Sequence, residues 1–264
     1  MKKNTMTLMA AGTCAMIAAS AANAAVSISS IGSYTQNFAG FGASSSASMP
    51  TDWTTTTTSF QGFTNNGTGV TINNAGATGS ISTGGIFGWG YSSGSPAVIG
   101  NSTLAFQGSS SVSSSAVTVS FTNNTGYNIS DLSLGFDVYQ WRQQVGRTST
   151  LILSSTGVSG LNAYTYTSAA AATGSAVGRA FNSTGPATVP SGFAADGSFS
   201  QSLTGLTIAN GASFSFTFTY NRGTGSGSAQ GIALDNFALT YAPAPGAVAL
   251  IGLAGLVASR RRRN

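Results

Sequence analysis

The stretch that decides the fold is Phe214–Tyr220, which reads FSFTFTY. Aromatic and hydroxyl side chains alternate along it, and a period of two residues is typical of a β-strand with one buried face. The same alternation places Leu132, Leu134, Phe136 and Val138 on one face of a second strand. No apolar run in the body shows helical spacing over a useful length, so the pattern predicts an all-β protein.

Several shorter runs extend this pattern along the chain, with Gly- and Asn-rich turns between them. Many strands joined by such turns indicate a sandwich or a barrel. Thr54–Thr58 and Ser44–Ser48 are predicted to be irregular surface segments, and Ser168–Ala172 a helical turn or a loop. The additional predicted strands are Val26–Phe38, Val70–Ile72, Leu104–Phe106, Ala116–Phe121, Leu151–Leu153, Ala163–Thr167 and Phe199–Leu203.

The last predicted strand, Ile232–Tyr241, changes phase part-way. Ile232 and Leu234 share one parity, whereas Phe237, Leu239 and Tyr241 share the other. One extra residue in a strand restores the phase, because a β-bulge sets two residues opposite one. The sequence therefore predicts a bulge near Asp235-Asn236 that keeps both apolar sets inside.

The charged residues of this 264-residue chain are few and uneven in position. Only 6% of the residues are charged, and the net charge of +5 comes from two lysines at the start, Lys2 and Lys3, and four arginines at the end. Between residues 25 and 241 there are four arginines and five aspartates, a net charge of −1. The calculated pI near 9.7 thus reflects the terminal segments, which argues against nucleic-acid binding.

The first 24 residues have the three parts of a secretory signal peptide. Lys2 and Lys3 precede an apolar stretch, and Ala22-Asn23-Ala24 forms an A-x-A cleavage site. Signal peptidase is expected to cut after Ala24. The only cysteine, Cys14, lies in this segment, so residues 25–241 contain no thiol for a disulfide or a metal site.

The C-terminal segment, residues 242–264, combines a proline motif, an apolar stretch and an arginine cluster. Pro243 and Pro245 precede an apolar stretch of 14 residues, Gly246–Ser259. As a helix this stretch spans about 21 Å at ~1.5 Å per residue, which is short of a ~30 Å hydrocarbon core. A plain membrane anchor and a cleaved sorting tail both fit this composition. The arginines that follow, which are expected to stay cytoplasmic, are Arg260, Arg261, Arg262 and Arg263.

This tail resembles the PEP-CTERM sorting signal in the order and position of its parts. The resemblance covers Pro243–Asn264, including Gly246 after the second proline, and departs from the usual motif at Ala244, where the family has glutamate. It implies recognition by an exosortase-like transpeptidase, membrane attachment through the short helix before processing, and transfer to the envelope or exopolysaccharide. The prolines would present an extended segment just outside the membrane.

A second resemblance covers most of the body. Gln140-Trp141-Arg142 and the closing run Gly231–Thr240 are similar to recurring strands of the jelly-roll-like sandwiches that PEP-CTERM and other exported surface proteins carry. It implies an antiparallel jelly-roll-like β-sandwich over residues 25–241, flanked by the signal helix and a short C-terminal transmembrane helix. It implies no particular activity, because a fold does not fix function.

The residues that most enzymes use are missing from the body. Histidine and glutamate, the usual general acid–base residues, do not occur, and both lysines lie in the signal peptide. The five aspartates could form the carboxylate pair of a glycosidase, but no motif frames them. We therefore expect a protein without enzymatic activity or a cofactor, and keep a hydrolase with converging aspartates as a lesser alternative.

Tyr139, Trp141 and Arg142 are the candidate glycan-binding residues. An exposed aromatic face could stack on a sugar ring while the guanidinium binds hydroxyl groups. The alternative is structural: the two rings would cover the second face of a sheet, and Arg142 would pair with Asp235 or Asp137. The sequence favours the structural alternative. Two further tryptophans are predicted to pack in the core or at its rim, Trp53 and Trp89.

Asp235 is the one candidate for a metal site. With Asn236 it could offer oxygens to Ca²⁺, but calcium takes 6–8 oxygen ligands, and the dense aspartate spacing of a dedicated loop is missing. The alternative is that Asp235 caps backbone N–H groups at the bulge. We expect no bound metal.

These observations predict an exported, non-enzymatic protein of the cell surface or extracellular matrix, associated with biofilm or exopolysaccharide. The alternative is a carbohydrate-binding module on the cell surface. Exposed aromatic residues on a sheet would favour the module, and a featureless polar surface would favour the matrix role. The expected partners are signal peptidase, an exosortase-like enzyme, the membrane and polysaccharide.

Overall fold

The computed structural model describes residues 25–38, 49–55, 84–93, 98–143, 146–170, 177–178, 195–225 and 229–243. All regular structure in these residues is β, which confirms the predicted class, and none of their segments forms an apolar helix that could span a membrane. The predicted signal and tail helices lie outside them. The strands are β1 (Val26–Ile28), β2 (Gly32–Gln36), β3 (Trp53–Thr55), β4 (Gly85–Ser93), β5 (Val98–Gln107), β6 (Ser114–Asn123), β7 (Ile129–Gln143), β8 (Thr150–Thr156), β9 (Tyr164–Thr167), β10 (Val177–Gly178), β11 (Gly197–Leu203), β12 (Ser213–Asn221) and β13 (Gly231–Pro243).

The strands form two sheets. Sheet A has the order β1-β6-β12-β8-β9, and β3 also pairs with β6. Sheet B has the order β10-β7-β13-β5-β4, with β11 beside β7 and β2 beside β13. All pairs are antiparallel except β1 with β6. The longest strands, β7 and β13, therefore lie side by side in the middle of sheet B.

Aromatic side chains join the two sheets face to face. Phe136 of sheet B meets Phe218 of sheet A edge-on, with ring centroids 4.9 Å apart. Trp53 of β3 lies edge-on to Phe237 of β13 at 5.3 Å. Such pairs add about 0.5–1.5 kcal/mol each beyond their buried area. The alternating sets predicted from the sequence, including Phe214–Tyr220 and Leu132–Val138, are buried in this core.

The phase change in β13 is a bulge at the predicted place. The register with β7 shifts between Asp235 and Ala238, and Asn236 adopts a φ of 50°. Asn tolerates this left-handed conformation better than most residues. The predicted bulge is thus confirmed, and it keeps one apolar face along the whole strand. The fully buried residues before and after the bulge are Ile232, Leu234, Phe237 and Leu239.

Among the other predictions for local structure, one is partly wrong and two concern residues that the structure does not describe. Thr54 and Thr55 belong to β3, so this part of the predicted irregular segment is wrong: β3 pairs with β6 and places Trp53 in the core. Ser168–Ala170 forms a loop. Strand β13 continues to Pro243, two residues past the predicted end of the body. The predicted strand 70–72 and the predicted surface segment 44–48 lie outside the described residues.

Candidate functional site

The three candidate glycan-binding residues lie near the end of β7 and are buried. Tyr139 is 4% exposed, and Trp141 and Arg142 are 3% exposed. A ring that stacks on a sugar must present an open face to solvent, and neither ring does. The geometry therefore favours the structural alternative for all three residues.

Trp141 packs across the neighbouring strand. The register between β7 and β13 skips Trp141, because Arg142 faces Gly231 and Gln140 faces Ile232. The indole N–H donates to the carbonyl oxygen of Phe106 at 3.3 Å. A Cβ added at Gly231 would lie 2.3 Å from the indole ring, so glycine at this position makes room for the tryptophan.

Arg142 does not pair with the aspartates predicted for it. Asp235 lies opposite Asp137, whereas Arg142 lies opposite Gly231. Four residues of an extended strand separate Gly231 from Asp235, about 13 Å at ~3.3 Å per residue. Burial lowers the pKa of Arg142, and Tyr220 raises it in part. The prediction of an ion pair with Asp137 or Asp235 is therefore wrong.

Two acidic residues meet on the outer side of sheet B. Asp137 and Asp235 face each other across β7 and β13 at the bulge. One carboxylate oxygen of Asp235, Oδ1, accepts the backbone N–H of Asn236 at 2.8 Å, as the capping alternative predicted. The side-chain amide of Asn236 donates to Oδ2 of Asp137 at 2.9 Å. We call Asp137, Asp235 and Asn236 the bulge cluster.

Burial changes the ionisation of the groups at the bulge cluster. Desolvation raises the pKa of Asp235 to about 7, against a usual value of 3.8; the Asn236 N–H lowers it in part, and the charge of Asp137 raises it further. Desolvation also raises the pKa of Tyr139 to about 12, with added repulsion from Asp137, Asp235 and Asp196. Oδ2 of Asp235 has no hydrogen-bond partner. Negative charge at this position is therefore poorly compensated within the fold.

The bulge cluster is poorly suited to hydrolysis. Two carboxyl groups ~5–9.5 Å apart can cleave a glycosidic bond when both reach the substrate. Asp235 is 0% exposed, so a sugar ring cannot approach it in this conformation. Within the described ranges, no three His, Cys, Asp or Glu side chains come together as metal ligands.

A shallow groove lies on the outer face of sheet B, at the opposite end of β7. Its volume is about 340 Å³. Asp131 and Ser133 of β7, Ser202 of β11 and Thr240 of β13 supply its polar groups, and Ile31, which is 58% exposed, supplies an apolar edge. The alternation along β7 was the available sequence signal, because it sets Asp131 on the outward face, but the partner strands were not known.

The described strands of sheet A present hydroxyl groups and no charge on their outer face. None of the strands of this sheet contains an acidic or basic residue. Thr118 and Thr217 hydrogen-bond across β6 and β12 at 2.8 Å, and Thr122 and Ser213 at 3.0 Å. Ala116 is one of the few apolar residues among them. The outward hydroxyl residues are Ser114, Thr118, Ser120, Thr122, Thr150, Ser154, Thr156, Thr165, Thr167, Ser213, Ser215, Thr217 and Thr219.

The remaining sequence candidates fall mostly outside the described residues. Trp53 is fully buried, as predicted, whereas the side chain of Trp89 is not described. Pro243 is the last residue of β13 and lies opposite Ile129. The predicted cleavage and sorting residues that lie outside the described part of the chain are Ala22, Ala24, Pro245, Gly246, Arg260, Arg261, Arg262 and Arg263.

Comparison with known proteins identifies no family for the chain. No protein-family model and no curated protein matches it. A solved structure of TmCBM61 in complex with β-1,4-galactotriose is 13% identical, covers 56% of this chain and 79% of its own, and has a TM-score of 0.25. The enzymatically active domain of bacteriophage CBA120 tailspike protein 4 is 9% identical at a TM-score of 0.25, and the match covers 54% of this chain and 16% of that one. Likenesses of this size decide neither fold nor function.

Proposed function

We propose that the protein is a non-enzymatic component of the cell surface or extracellular matrix. The observation that supports this function best is the charge-free hydroxyl face of sheet A. Polysaccharides are rich in hydroxyl groups, and many carry acidic groups that would be repelled by a negative protein surface. A face of Ser and Thr side chains can exchange hydrogen bonds with such polymers and with water without that repulsion.

The terminal segments supply the proposed route. Cleavage after Ala24 would release the body on the outer side of the membrane, and the arginine cluster, residues 260–263, would hold the end of the tail on the cytoplasmic side. An exosortase-like transpeptidase would then cut near Pro243, Pro245 and Gly246. This route leads the mature protein to the cell surface or the matrix.

The path of the chain supports a jelly-roll-like description of the sandwich. From β5 to β8 each strand lies in the other sheet from the one before it, and the same holds from β11 to β13. Such crossing between two sheets is a feature of jelly rolls. The parallel pairing of β1 with β6 is a departure from a purely antiparallel arrangement.

Cell fractionation and peptide mapping test the proposed route. The full-length chain would be expressed in a bacterium that carries an exosortase-type sorting system. We expect matrix-associated protein that begins at Ala25 and lacks peptides from 246–259. An intact peptide through 246–259 in the envelope form would indicate a permanent anchor, and retention of Met1 would exclude export by this signal. Neutral replacement of all four arginines, Arg260, Arg261, Arg262 and Arg263, should misroute the protein, whereas a Ser111→Ala control in an exposed turn should not.

A second candidate function is specific glycan binding at the groove near Asp131. A carboxylate beside hydroxyl groups and an exposed apolar side chain is a common arrangement for sugar hydroxyl and ring contacts. The half-buried Tyr241 adds an aromatic ring to the lining. The groove is shallow, so we expect millimolar rather than micromolar affinity.

Glycan-array binding of the detergent-purified full-length chain tests this second function. Asp131→Asn and Ser202→Ala should weaken binding at least several-fold if the groove is the site. Ser111→Ala is a matched control, because Ser202 and Ser111 each hydrogen-bond a neighbouring hydroxyl, at 3.2 and 3.0 Å, and Ser111 lies outside both the groove and the strands of sheet A. Equal binding by all three variants would place any glycan site elsewhere.

A further inference from the structure

Asp137 and Asp235 form a pair that the surrounding fold does not explain. Like charges directly opposite each other on adjacent strands destabilise a sheet. Asp235 is fully buried, and its Oδ2 atom accepts no hydrogen bond. A buried carboxylate whose charge is left uncompensated costs several kcal/mol in general, so a proton or a cation is expected at this position.

We propose that the bulge cluster binds a divalent cation, and that Ca²⁺ is the ion it fits. Carboxylate and amide oxygens are the ligands that this hard cation prefers. A cation between Asp137 and Asp235 would convert the cross-strand repulsion into two attractions. No basic side chain within the described residues forms an ion pair with either carboxylate.

Three side chains can supply the ligands. Oδ2 of Asp235 is free to bind, while its Oδ1 stays on the N–H of Asn236. Asp137 is half-buried, and its carboxylate already lies within hydrogen-bonding distance of the Asn236 amide. Rotation of that amide would present its oxygen in place of its nitrogen, because the two ends are nearly equal in shape. Water can complete the shell from the exposed side of Asn236.

The bulge is what brings these groups together. The left-handed backbone at Asn236 lets Asp235 and Asn236 both interact on the side of Asp137. A regular strand would turn adjacent side chains to opposite faces. The arrangement is irregular and partly open, which suits Ca²⁺ better than Mg²⁺, since Mg²⁺ demands near-ideal octahedral geometry.

Only two carboxylates contribute, so the affinity should be modest. Extracellular calcium modules bind with dissociation constants of about 10⁻⁴–10⁻³ M, and the bulge cluster belongs in that range. The competing explanation is a proton shared by the two carboxylates in place of a metal.

Calcium titration of thermal unfolding distinguishes the cation from the proton. The full-length chain, purified in detergent and treated with a chelator, is titrated with CaCl₂ up to about ten times the expected dissociation constant. Ligand that binds only the folded state raises the melting temperature in a saturable way. We expect such a rise with Ca²⁺ and a smaller one with Mg²⁺. Absence of a rise with Ca²⁺ would overturn the proposal.

Three variants locate the site. Asp137→Asn and Asp235→Asn should each abolish the calcium response. Asp131→Asn is the matched control, because it lies on the same strand and the same face about 20 Å from Asp137 at ~3.3 Å per residue. A response that persists in both cluster variants, or is lost in the control, would contradict the site. If calcium leaves the melting temperature of the wild type unchanged and Asp235→Asn melts at a higher temperature than the wild type, Asp137 and Asp235 share a proton and not a metal ion.

Terbium luminescence gives a second measurement that does not depend on stability. Tb³⁺ replaces Ca²⁺ at oxygen sites and is excited through nearby tyrosine rings. Tyr139 lies on the same face, two residues from Asp137 along β7. We expect sensitised emission that calcium displaces in the wild type and in Asp131→Asn, and no such emission in folded Asp137→Asn. Equal emission from Asp137→Asn would exclude the bulge cluster as the binding site.

Discussion

The outer faces of the two sheets differ in charge although both come from alternating strands. The outer face of sheet A presents mostly hydroxyl side chains and a few apolar ones, and the strands of this sheet contain no charged residue. Sheet B carries Asp131, Asp137 and Asp235. The inner faces of both sheets are apolar, and both contribute buried aromatic rings. The core therefore sets the fold, and the difference between the outer faces indicates where ligands should be sought.

The largest expected loss of stability comes from a deletion in β13 that turns core-facing side chains outward and outward-facing side chains into the core. Deletion of Ala238 would turn Leu239 outward and Thr240 inward. Exposing one large apolar side chain costs about 1.5–3 kcal/mol, and burying an unpaired hydroxyl adds about 1–3 kcal/mol. Together these costs reach the lower end of the stability of a small domain, about 5–15 kcal/mol. We expect the variant to lose its cooperative unfolding transition in circular dichroism.

Deletion of Asn236 is the matched control for that experiment. Phe237 is buried in the core, and Asn236 is the extra residue of the bulge. Its removal leaves Asp235 outside and Phe237 inside, as in a regular strand. We expect a folded protein with a modest loss of stability. Equal damage from both deletions would mean that parity is not what separates the faces.

These experiments bear on what the sequence could predict. Alternation identified the inner faces of β7 and β12 and the bulge in β13, because burial repeats every second residue within a strand. Pairing between distant strands carries no such local signal. Asp137 and Asp235 are 98 positions apart, and only the register of β7 with β13 sets them opposite each other. Asp235 and Asn236 were named from the sequence, but the position of Asp137 opposite them was therefore missed, as was the groove.

The second expected effect concerns the charge on the outer face of sheet B. In chelator-treated protein, the folded state holds a proton on Asp235 up to about pH 7, whereas the unfolded chain releases it near pH 3.8. The contribution of this group to stability is thus largest at low pH and is lost as the pH rises from about 4 to about 7. A pKa change of this size corresponds to at most about 4 kcal/mol.

Urea unfolding of the wild type and Asp235→Asn across that pH range measures this contribution. Their difference in free energy of unfolding should move in favour of Asp235→Asn as the pH rises. Asp137 and Tyr139 interact electrostatically with Asp235 and are common to both proteins, so contributions that do not involve Asp235 largely cancel. A pH-independent difference would show that Asp235 is ionised in the fold throughout. Calcium should flatten the wild-type curve if the cation binds.

The third prediction compares two glycines on the outer face of sheet B, Gly231 beneath the indole ring of Trp141 and Gly135 without such a cover. Gly231→Ala would press a methyl group against the indole ring of Trp141, and overpacking of this kind costs about 1–3 kcal/mol. Gly135→Ala would bring its methyl group 3.5 Å from the carbonyl oxygen of Phe199, an ordinary contact. Alanine there should be neutral or stabilising by about 0.4–1 kcal/mol. Thermal unfolding of both variants gives the comparison, and equal effects would contradict it.

The smallest expected effect concerns the neutral face of sheet A. Thr217→Val removes one hydroxyl from the pair with Thr118. A typical hydrogen bond contributes about 0.5–1.5 kcal/mol, but both residues are half-exposed, so Thr118 can turn to water instead. Valine also fits a strand well. We expect the free energy of unfolding to change by less than about 1 kcal/mol.

The double variant Thr118→Val, Thr217→Val tests whether these hydroxyls stabilise the fold or bind polysaccharide in the matrix. If the hydroxyl face serves polysaccharide contact, the double variant should stay folded yet be retained less well in the extracellular matrix. Retention is measured by immunoblotting of washed matrix, with Thr207→Val as a control at an exposed loop position outside sheet A. A loss of stability above about 2 kcal/mol would instead show that the hydroxyl pairs hold sheet A together. If both retention and stability are unchanged, the hydroxyl face of sheet A does not contribute to matrix association. The groove on sheet B would then be the better candidate for the polysaccharide contact.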